Sequence, residues 1–330
     1  MSVVIRSTGS ALPERVISNA DLERLIDTND EWIVTRTGIR ERRMMAPEEA
    51  TSDIVTRAAQ RALEQAGLGP EDLDLIVVAT CTPDTFTPAT ANHVHRNLCR
   101  GLTIPALDVN AACSGFVYGL EVATSLLNSA GYRRVLLAGG EGLTRFMDYE
   151  ERTVCILFGD AAGAVVLERS NGPGGVLATT LRSDGQYSDM IQIPGGGARK
   201  PISPYVLAQR EAFVKMNGPQ VFKVAVQSME QVALDTLAKV GWKVDDVNWV
   251  IAHQANKRIL SAVADRLEVP TEKMPTNLEV RGNTSAASIP VLLDECNRAG
   301  RFKRGDKLLL VAFGGGLTWG AAAVEWTQDP

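Results

Sequence analysis

Two stretches of this 330-residue chain repeat each other. Ala62 to Thr80 reads ALEQAGLGPEDLDLIVVAT, and Thr236 to Gln254 reads TLAKVGWKVDDVNWVIAHQ. Each is a helix tail, a glycine stop, an acidic turn and an apolar run. Gly67 falls on Gly241, Asp72 on Asp246 and Ile76 on Val250, a spacing of 174. RRVLLAGG (Arg133 to Gly140) and KLLLVAFG (Lys307 to Gly314) keep the same spacing without a gap. Self-similarity at a fixed spacing marks a duplicated structural unit. Two generic α/β domains that share one motif would not hold it in two separate segments.

The repeated unit is α/β. LDLIVVAT, RRVLLAGG, VNWVIAH and KLLLVAF are continuously apolar, as strands covered on both faces are. Helix-period stretches lie between them. One is TSDIVTRAAQRALEQAG, with Thr51 or Ser52 as the expected N-cap and Gly67 as the stop. AAGAVVLER and GVLATTLRS add two short strands near the midpoint. The turn cluster SNGPGG (Ser170 to Gly175) marks the join. The expected division is therefore residues 1–175 and 176–330.

Bulk properties exclude several classes. A formal charge of −5 argues against a general nucleic-acid binder. No apolar run reaches the roughly 18–20 residues that span a bilayer, so no membrane partner is expected. The start, MSVVIRSTGSALPERV, does not read as a signal peptide. Cys81, Cys99, Cys113, Cys155 and Cys296 form neither a CxxC pair nor a disulfide framework, and a reducing cytoplasm is expected. His93 and His95 stand in HVH without a neighbouring ligand cluster, so no metal is expected.

The repeat singles out DVNAACSGFVYGL (Asp108 to Leu120). A free cysteine is usually a small buried hydrophobe, and Cys113 alone would be read that way. Moving 174 positions on lands on Ala287, inside GNTSAASIPVLLDEC (Gly282 to Cys296). The second copy keeps the small-residue turn and the apolar helix but has no sulfur, so packing does not demand one. Its turn carries Asn283, and Ala79 at a strand end is replaced by His253. Symmetry-related segments converge in doubled folds, which brings Cys113, His253 and Asn283 together. A helix N-terminus lowers a thiol pKa. Asparagine and neutral histidine both donate hydrogen bonds to a developing oxyanion. The glycines of FGGGLTWG (Phe313 to Gly320) let a backbone N–H approach the same place.

With these residues assembled, the chain resembles the thiolase superfamily, and within it the β-ketoacyl-[acyl-carrier-protein] synthase III family. The resemblance covers essentially the whole chain. It rests on DEWIVTRTGIRER (Asp30 to Arg42), AACSGF (Ala111 to Phe116), RTVCILFGDAAGAVVL (Arg152 to Leu167), NGPQVFKVAV (Asn217 to Val226), HQANKRI (His253 to Ile259), GNTSAAS (Gly282 to Ser288) and FGGGLTWG. It implies an α/β thiolase-like fold, with duplicated βαβαβαββ-type halves in five α-β-α-β-α layers. It also implies a cytoplasmic homodimer that initiates fatty-acid synthesis. An acyl-CoA primer would acylate Cys113, and malonyl-acyl-carrier protein would then be decarboxylated and condensed with it. The CoA thioester is a substrate, and no cofactor is implied.

The resemblance assigns further residues. His253 and Asn283 would hold the malonyl thioester oxygen, and the N–H groups of Cys113 and Gly315 would form the oxyanion hole. Trp32 and Arg152 would sandwich the CoA adenine, with Thr28 and Arg36 beside them. Gly218, Phe222 and Asn256 would line the pantetheine tunnel. Lys223, Lys257 and Arg258 would form the carrier-protein docking patch; solvated surface charge is the plain alternative. Phe313, Phe86 and Thr87 would belong to the acyl pocket, with Thr87 reaching it across the dimer interface where acetyl-preferring enzymes carry Phe. The smaller side chain implies tolerance of longer primers. Pro219 departs from the polar residue of some members and cannot donate a backbone hydrogen bond.

Other readings fit less well. The order Cys, His, Asn also suits a papain-like peptidase, but AACSGF lacks the context of that nucleophile. A non-catalytic binding protein on this fold would be expected to lose one of the three residues. The closest rivals are related 3-ketoacyl synthases, or O- and N-acyltransferases of secondary metabolism, which share the nucleophile. Their second substrate is selected by loops such as Ile193 to Phe213.

Overall fold

A five-stranded and a four-stranded sheet form the core of the computed structural model, which describes residues 2–329. The first contains β1 (Ser2–Ala11), β2 (Leu75–Ala79), β3 (Ala106–Val109), β4 (Arg134–Glu141) and β5 (Ala161–Ser170), in the order β1-β5-β4-β2-β3. The second contains β6 (Gly175–Ser183), β7 (Trp249–Ala252), β8 (Lys307–Gly314) and β9 (Thr318–Glu325), in the order β7-β8-β9-β6. Strands β2, β3 and β4 run parallel, as do β7 and β8. The remaining neighbours are antiparallel. The series β2-β4-β5-β1 is thus repeated as β7-β8-β9-β6. Among the described strands β3 has no counterpart in the second sheet.

Seven helices matter for the layers and the site: α1 (Asp30–Thr37), α2 (Thr51–Ala66), α3 (Thr90–Leu98), α4 (Gly115–Ser129), α5 (Gly218–Val240), α6 (Lys257–Arg266) and α7 (Ser288–Arg298). Side chains alternate across a strand, so an all-apolar strand must be covered twice. Leu75 and Val77 of β2 pack with Leu120 of α4 and Leu292 of α7, together with Leu308 and Leu310 of β8. Ile76 and Val78 pack on the other face with Ile54 of α2 and Val94 of α3. Leu309 and Val311 of β8 turn away from the centre, toward Met229 of α5 and Val263 of α6. The order is therefore α2 and α3, first sheet, α4 and α7, second sheet, α5 and α6: five layers.

Helix α2 ends at Gly67 as expected, at a left-handed φ of 67°, and Gly241 closes α5 the same way at φ 68°. Its start differs from expectation. The N-cap is Ala50, and Asp53 accepts the Ala50 N–H at 2.8 Å in place of a side-chain cap. Ser52 is drawn away because its N–H and hydroxyl both donate to Asp84, at 2.9 and 2.6 Å.

The repeat spacing is not constant. Ile76 matches Val250, but Ile76 pairs with Leu136 whereas Val250 pairs with Leu309, a spacing of 173. The short turns Ala112–Ser114 and Ser285–Ala287, and the helices beginning at Gly115 and Ser288, keep this smaller spacing. Both turns open on a non-glycine residue with positive φ, Ala112 at 47° and Ser285 at 49°. The counterpart of Cys113 is therefore Ala286 rather than Ala287, and the counterpart of Asn283 is Asn110. A uniformly apolar strand carries no alternation to fix register, so a one-residue slip between RRVLLAGG and KLLLVAFG goes unseen.

Candidate active site

The two equivalent turns meet between the sheets, each pressed by a strand of the other half. A Cβ on Gly139 of β4 would lie 2.3 Å from the Ala286 carbonyl oxygen. One on Gly314 of β8 would lie 2.6 Å from the Cys113 nitrogen. These approaches bring Cys113, His253 and Asn283 to one cavity of about 1340 Å³, which Gly315 and Phe313 also line.

Asn283 is held on three sides. Its N–H donates to the Leu157 carbonyl at 2.8 Å, its carbonyl accepts the Gly159 N–H at 3.0 Å, and its Oδ1 accepts the Ser285 N–H at 2.9 Å. With Oδ1 occupied, the side-chain amide has its Nδ2 donors left for the cavity. Asn110 repeats the turn, its Oδ1 accepting the Ala112 N–H at 3.2 Å, and it too lines the cavity.

His253 follows β7 and is buried, and burial lowers its pKa to about 3. The imidazole is therefore neutral at ordinary pH. The Ser288 hydroxyl lies 2.7 Å from Nδ1 and donates to the Ser285 carbonyl at 2.8 Å. That carbonyl also receives the Ser288 N–H. When the hydroxyl proton turns to Nδ1, the ring carries its own proton on Nε2, the form a donor to an oxyanion needs.

Cys113 differs from expectation in its charge. Burial pushes its thiol up to about 12; the neighbouring Ser285 hydroxyl works the other way, and the charge of Glu141 adds to the rise. Burial and the Glu141 charge thus favour the thiol over the thiolate in the resting group.

The CoA-type residues lie at the mouth. Trp32, Arg36, Gly218, Phe222, Asn256 and Arg258 line the cavity. Thr28, Arg152, Lys223 and Lys257 do not, although Lys223 and Lys257 are exposed on α5 and α6 near it. The Arg152 guanidinium sits 5.0 Å from the Trp32 ring centre and donates to the Asp27 carbonyl at 2.9 Å. This spacing leaves no room for a base between them, because each stacked contact needs roughly 3.5 Å. Arg36 lies 4.5 Å from the same ring centre, so an adenine stacks on Trp32 only if one of the two arginines swings out. Pro219 falls in the first turn of α5, where its missing N–H costs no helical hydrogen bond. Phe86, at 85% exposure, and Thr87 do not line the cavity of their own chain.

Residues 191–216 close one side of the cavity, with Ile191, Ile193, Val214 and Met216 lining it. The segment is tied down at buried Asp148, which accepts from Arg210 Nε at 2.8 Å and from Lys215 at 3.2 Å. The hydrogen bond from Arg210 holds the Asp148 carboxyl well below the usual range. The tether is therefore at full strength above the ordinary carboxylate value of about 3.9 and is lost as pH falls below it. Asp148→Asn is expected to lower Tm by roughly 3–6 °C at neutral pH and by less in acid, read by calorimetry across pH.

Four residues escaped the sequence reading: Asn110, Ser285, Ser288 and Glu141. The first needed only the one-residue shift in the repeat. Glu141 carries a signal of its own, a carboxylate ending the apolar run of β4, and it is fully buried.

Comparison with known proteins supplies the family. Residues 107–185 match the model of 3-oxoacyl-[acyl-carrier-protein (ACP)] synthase III, and residues 237–326 match that of its C terminal part. The β-ketoacyl-[acyl-carrier-protein] synthase III of Roseiflexus sp. (strain RS-1) is 48% identical over 319 residues, 97% of each chain. The chain belongs to the β-ketoacyl-[acyl-carrier-protein] synthase III family. Among solved structures, the 3-oxoacyl-[acyl-carrier-protein] synthase III of Aquifex aeolicus VF5 is 44% identical with a TM-score of 0.91, covering 98% of this chain and 100% of that one. The priming β-ketosynthase of the R1128 polyketide pathway is 33% identical with a TM-score of 0.92, covering 100% and 97%. The fold is thus thiolase-like, and the chain is an acyl-transferring condensing enzyme of the branch that initiates fatty-acid synthesis. Among the described residues no group of three or more His, Cys, Asp or Glu is gathered as for a metal, and no helix is long and apolar enough to cross a membrane.

Proposed function

We propose that the chain joins an acyl-CoA primer to malonyl-acyl-carrier protein through an acyl thioester on Cys113. The meeting of Cys113, His253 and Asn283 on one cavity carries this reading. Cys113 attacks the primer carbonyl, and CoA leaves. The N–H groups of Cys113 and Gly315 receive the oxyanion. His253 Nε2 and Asn283 Nδ2 then donate to the malonyl thioester oxygen as carbon dioxide departs. The resulting enolate carbon attacks the acyl-cysteine. Decarboxylation needs donors to a growing enolate rather than a strong base, and a neutral histidine with an asparagine supplies them.

Thr28, Trp32, Arg36 and Arg152 receive the adenine and phosphates, and Gly218, Phe222 and Asn256 the pantetheine. Asn256 caps α6 and donates to the Arg36 carbonyl at 3.1 Å, linking the two groups. Lys223, Lys257 and Arg258 meet the acidic carrier protein. Phe313 lines the acyl end, and Phe86 and Thr87 close it in a homodimer. Support for the dimer is the half-buried edge strand β3 and the exposed Phe86 ring. The two halves, 1–175 and 176–330, descend from one unit, as the shared strand series indicates. Five free cysteines suit a reducing cytoplasm.

A second reading, priming of secondary-metabolite synthesis or transfer of the acyl group to oxygen or nitrogen, draws on the likeness to the R1128 enzyme. Competing acetyl-, butyryl- and octanoyl-CoA with malonyl-carrier protein decides between them. A β-ketoacyl-carrier protein two carbons longer than its primer is expected, with the longer primers used. Strict acetyl preference would remove the role given to Thr87. Acylation without a new carbon–carbon bond would favour transfer to oxygen or nitrogen.

A further inference from the structure

Acylation of Cys113 starts from a thiol, and the proton has to go somewhere. We infer that it passes through Ser285 to Glu141 as the sulfur is acylated, and returns by the same path when condensation frees the sulfur. Glu141 would thus hold the thiol proton while the acyl group is on the enzyme. This inference rests on the acyl-Cys113 reading above.

Glu141 is fully buried at the end of β4, and its partners are all uncharged donors. Oε2 accepts from the hydroxyls of Thr82 at 2.6 Å and Thr80 at 3.2 Å. Oε1 accepts from the Ser285 hydroxyl at 3.1 Å and the Cys81 thiol at 3.4 Å. Both oxygens lie 3.2 Å from the Cys81 nitrogen and share its N–H. The Thr82 oxygen itself accepts the Gly142 N–H at 2.8 Å, which leaves its proton for Glu141. A carboxyl surrounded only by donors rests as the carboxylate. Without a cation beside it, this buried charge is poised to take a proton, and burial raises its pKa.

Ser285 joins the two groups. It lines the same cavity as Cys113, close enough for its hydroxyl to bear on the thiol, and that hydroxyl donates to Glu141 at 3.1 Å. Its left-handed backbone, φ 49°, is held by its N–H on Asn283 Oδ1. The titratable groups that face Glu141 are the thiols of Cys81, from the loop after β2, and Cys113, from the turn before α4.

The proton balance closes. As sulfur bonds to the acyl carbon, the thiol proton moves to Ser285 Oγ and the Ser285 proton moves to Glu141. The carbon–sulfur bond to CoA breaks, and the CoA thiolate takes one proton from solvent, since a free thiol titrates near 8.5. In the second half the carbon dioxide leaves, the enolate carbon bonds to the acyl carbon, and the Cys113–acyl bond breaks. Glu141 then returns its proton through Ser285 to the sulfur. Solvent supplies one proton in all, during the first half.

The test uses the wild-type enzyme in weak buffer with a pH indicator at pH 7. Acyl-CoA is added first and malonyl-carrier protein second. One proton taken up per CoA released, and none on condensation before the released carbon dioxide hydrates, is expected. Less than half a proton in the first half, with uptake on condensation, would overturn the inference by showing direct transfer to CoA. Absence of any Cys113 adduct would instead sink the acyl-cysteine reading.

Two variants give an independent readout. Glu141→Gln and Ser285→Ala are expected to slow acylation about 100-fold at pH 7, with a rate that climbs about tenfold per pH unit as hydroxide takes over. The wild-type rate should stay nearly flat. Acylation at the wild-type rate, or a deficit constant across pH as misplacement alone would give, would overturn it.

Discussion

Gly314→Ala is expected to cut acylation of Cys113 by about 100-fold or more in a protein that still folds. The added Cβ would lie 2.6 Å from the Cys113 nitrogen and 3.0 Å from its Cβ. Gly314 does not have the left-handed φ that would make alanine intrinsically strained. Only space forbids the methyl, and the atoms in its way are the backbone of the nucleophile. The turn carrying Cys113 must move, and with it the N–H assigned to the oxyanion hole. A displacement near 1 Å is worth about two orders of magnitude in rate. Overpacking of this kind costs roughly 1–3 kcal/mol, within what a domain of this size tolerates. A burst of CoA release measures the effect, with Gly185→Ala as control, since nothing lies within 4 Å of a Cβ there. A normal burst from Gly314→Ala would show that the contact does not set the position of the sulfur.

His253→Ala and Asn283→Ala should separate the two halves of the reaction. Each removes one donor to the enolate oxygen, and loss of one such donor typically costs 10²–10³ in rate, about 2.7–4 kcal/mol. Decarboxylation of malonyl-carrier protein should fall by about that factor in either variant. The two losses should not add, because the donors act on one oxygen. Acylation should persist in His253→Ala, which lies off the path from Cys113 through Ser285 to Glu141, and fall in part in Asn283→Ala, which also loses the acceptor that holds the Ser285 N–H. Stopped-flow acylation and trapping of labelled carbon dioxide measure the halves separately. Full condensation by His253→Ala would contradict its role. The contrast with Glu141→Gln is informative: that variant should fail in the first half, where His253→Ala succeeds.

Much of this was legible in the sequence because the strands are apolar on both faces. LDLIVVAT and VNWVIAH told of sheets covered twice, and the duplicated unit alone predicts that Cys113, His253 and Asn283 meet. The same property hid the one-residue change of spacing, since a strand without alternation slides against its copy unnoticed. That slip concealed Asn110 as the partner of Asn283. The thiol's charge was misjudged for a different reason. A helix terminus can be read locally, but the burial and the Glu141 charge that oppose it come from tertiary packing. Ser285 and Ser288 were within the quoted motif, yet their hydrogen bonds to Glu141 and His253 span 144 and 35 residues. Arg152 was matched to the adenine site, but its direct stacking on Trp32 follows from Asp27, which no pattern indicates.

The most direct test is the mass of the Cys113 peptide in a two-step experiment. Acyl-CoA alone should add one acyl group to that peptide and to no other cysteine, Cys81 in the same cavity included. Malonyl-carrier protein should then remove it, with one carbon dioxide and one β-ketoacyl-carrier protein formed per acyl group lost. An adduct on another residue, or an acyl-Cys113 that malonyl-carrier protein leaves in place, would contradict the assignment of Cys113 as the acyl carrier.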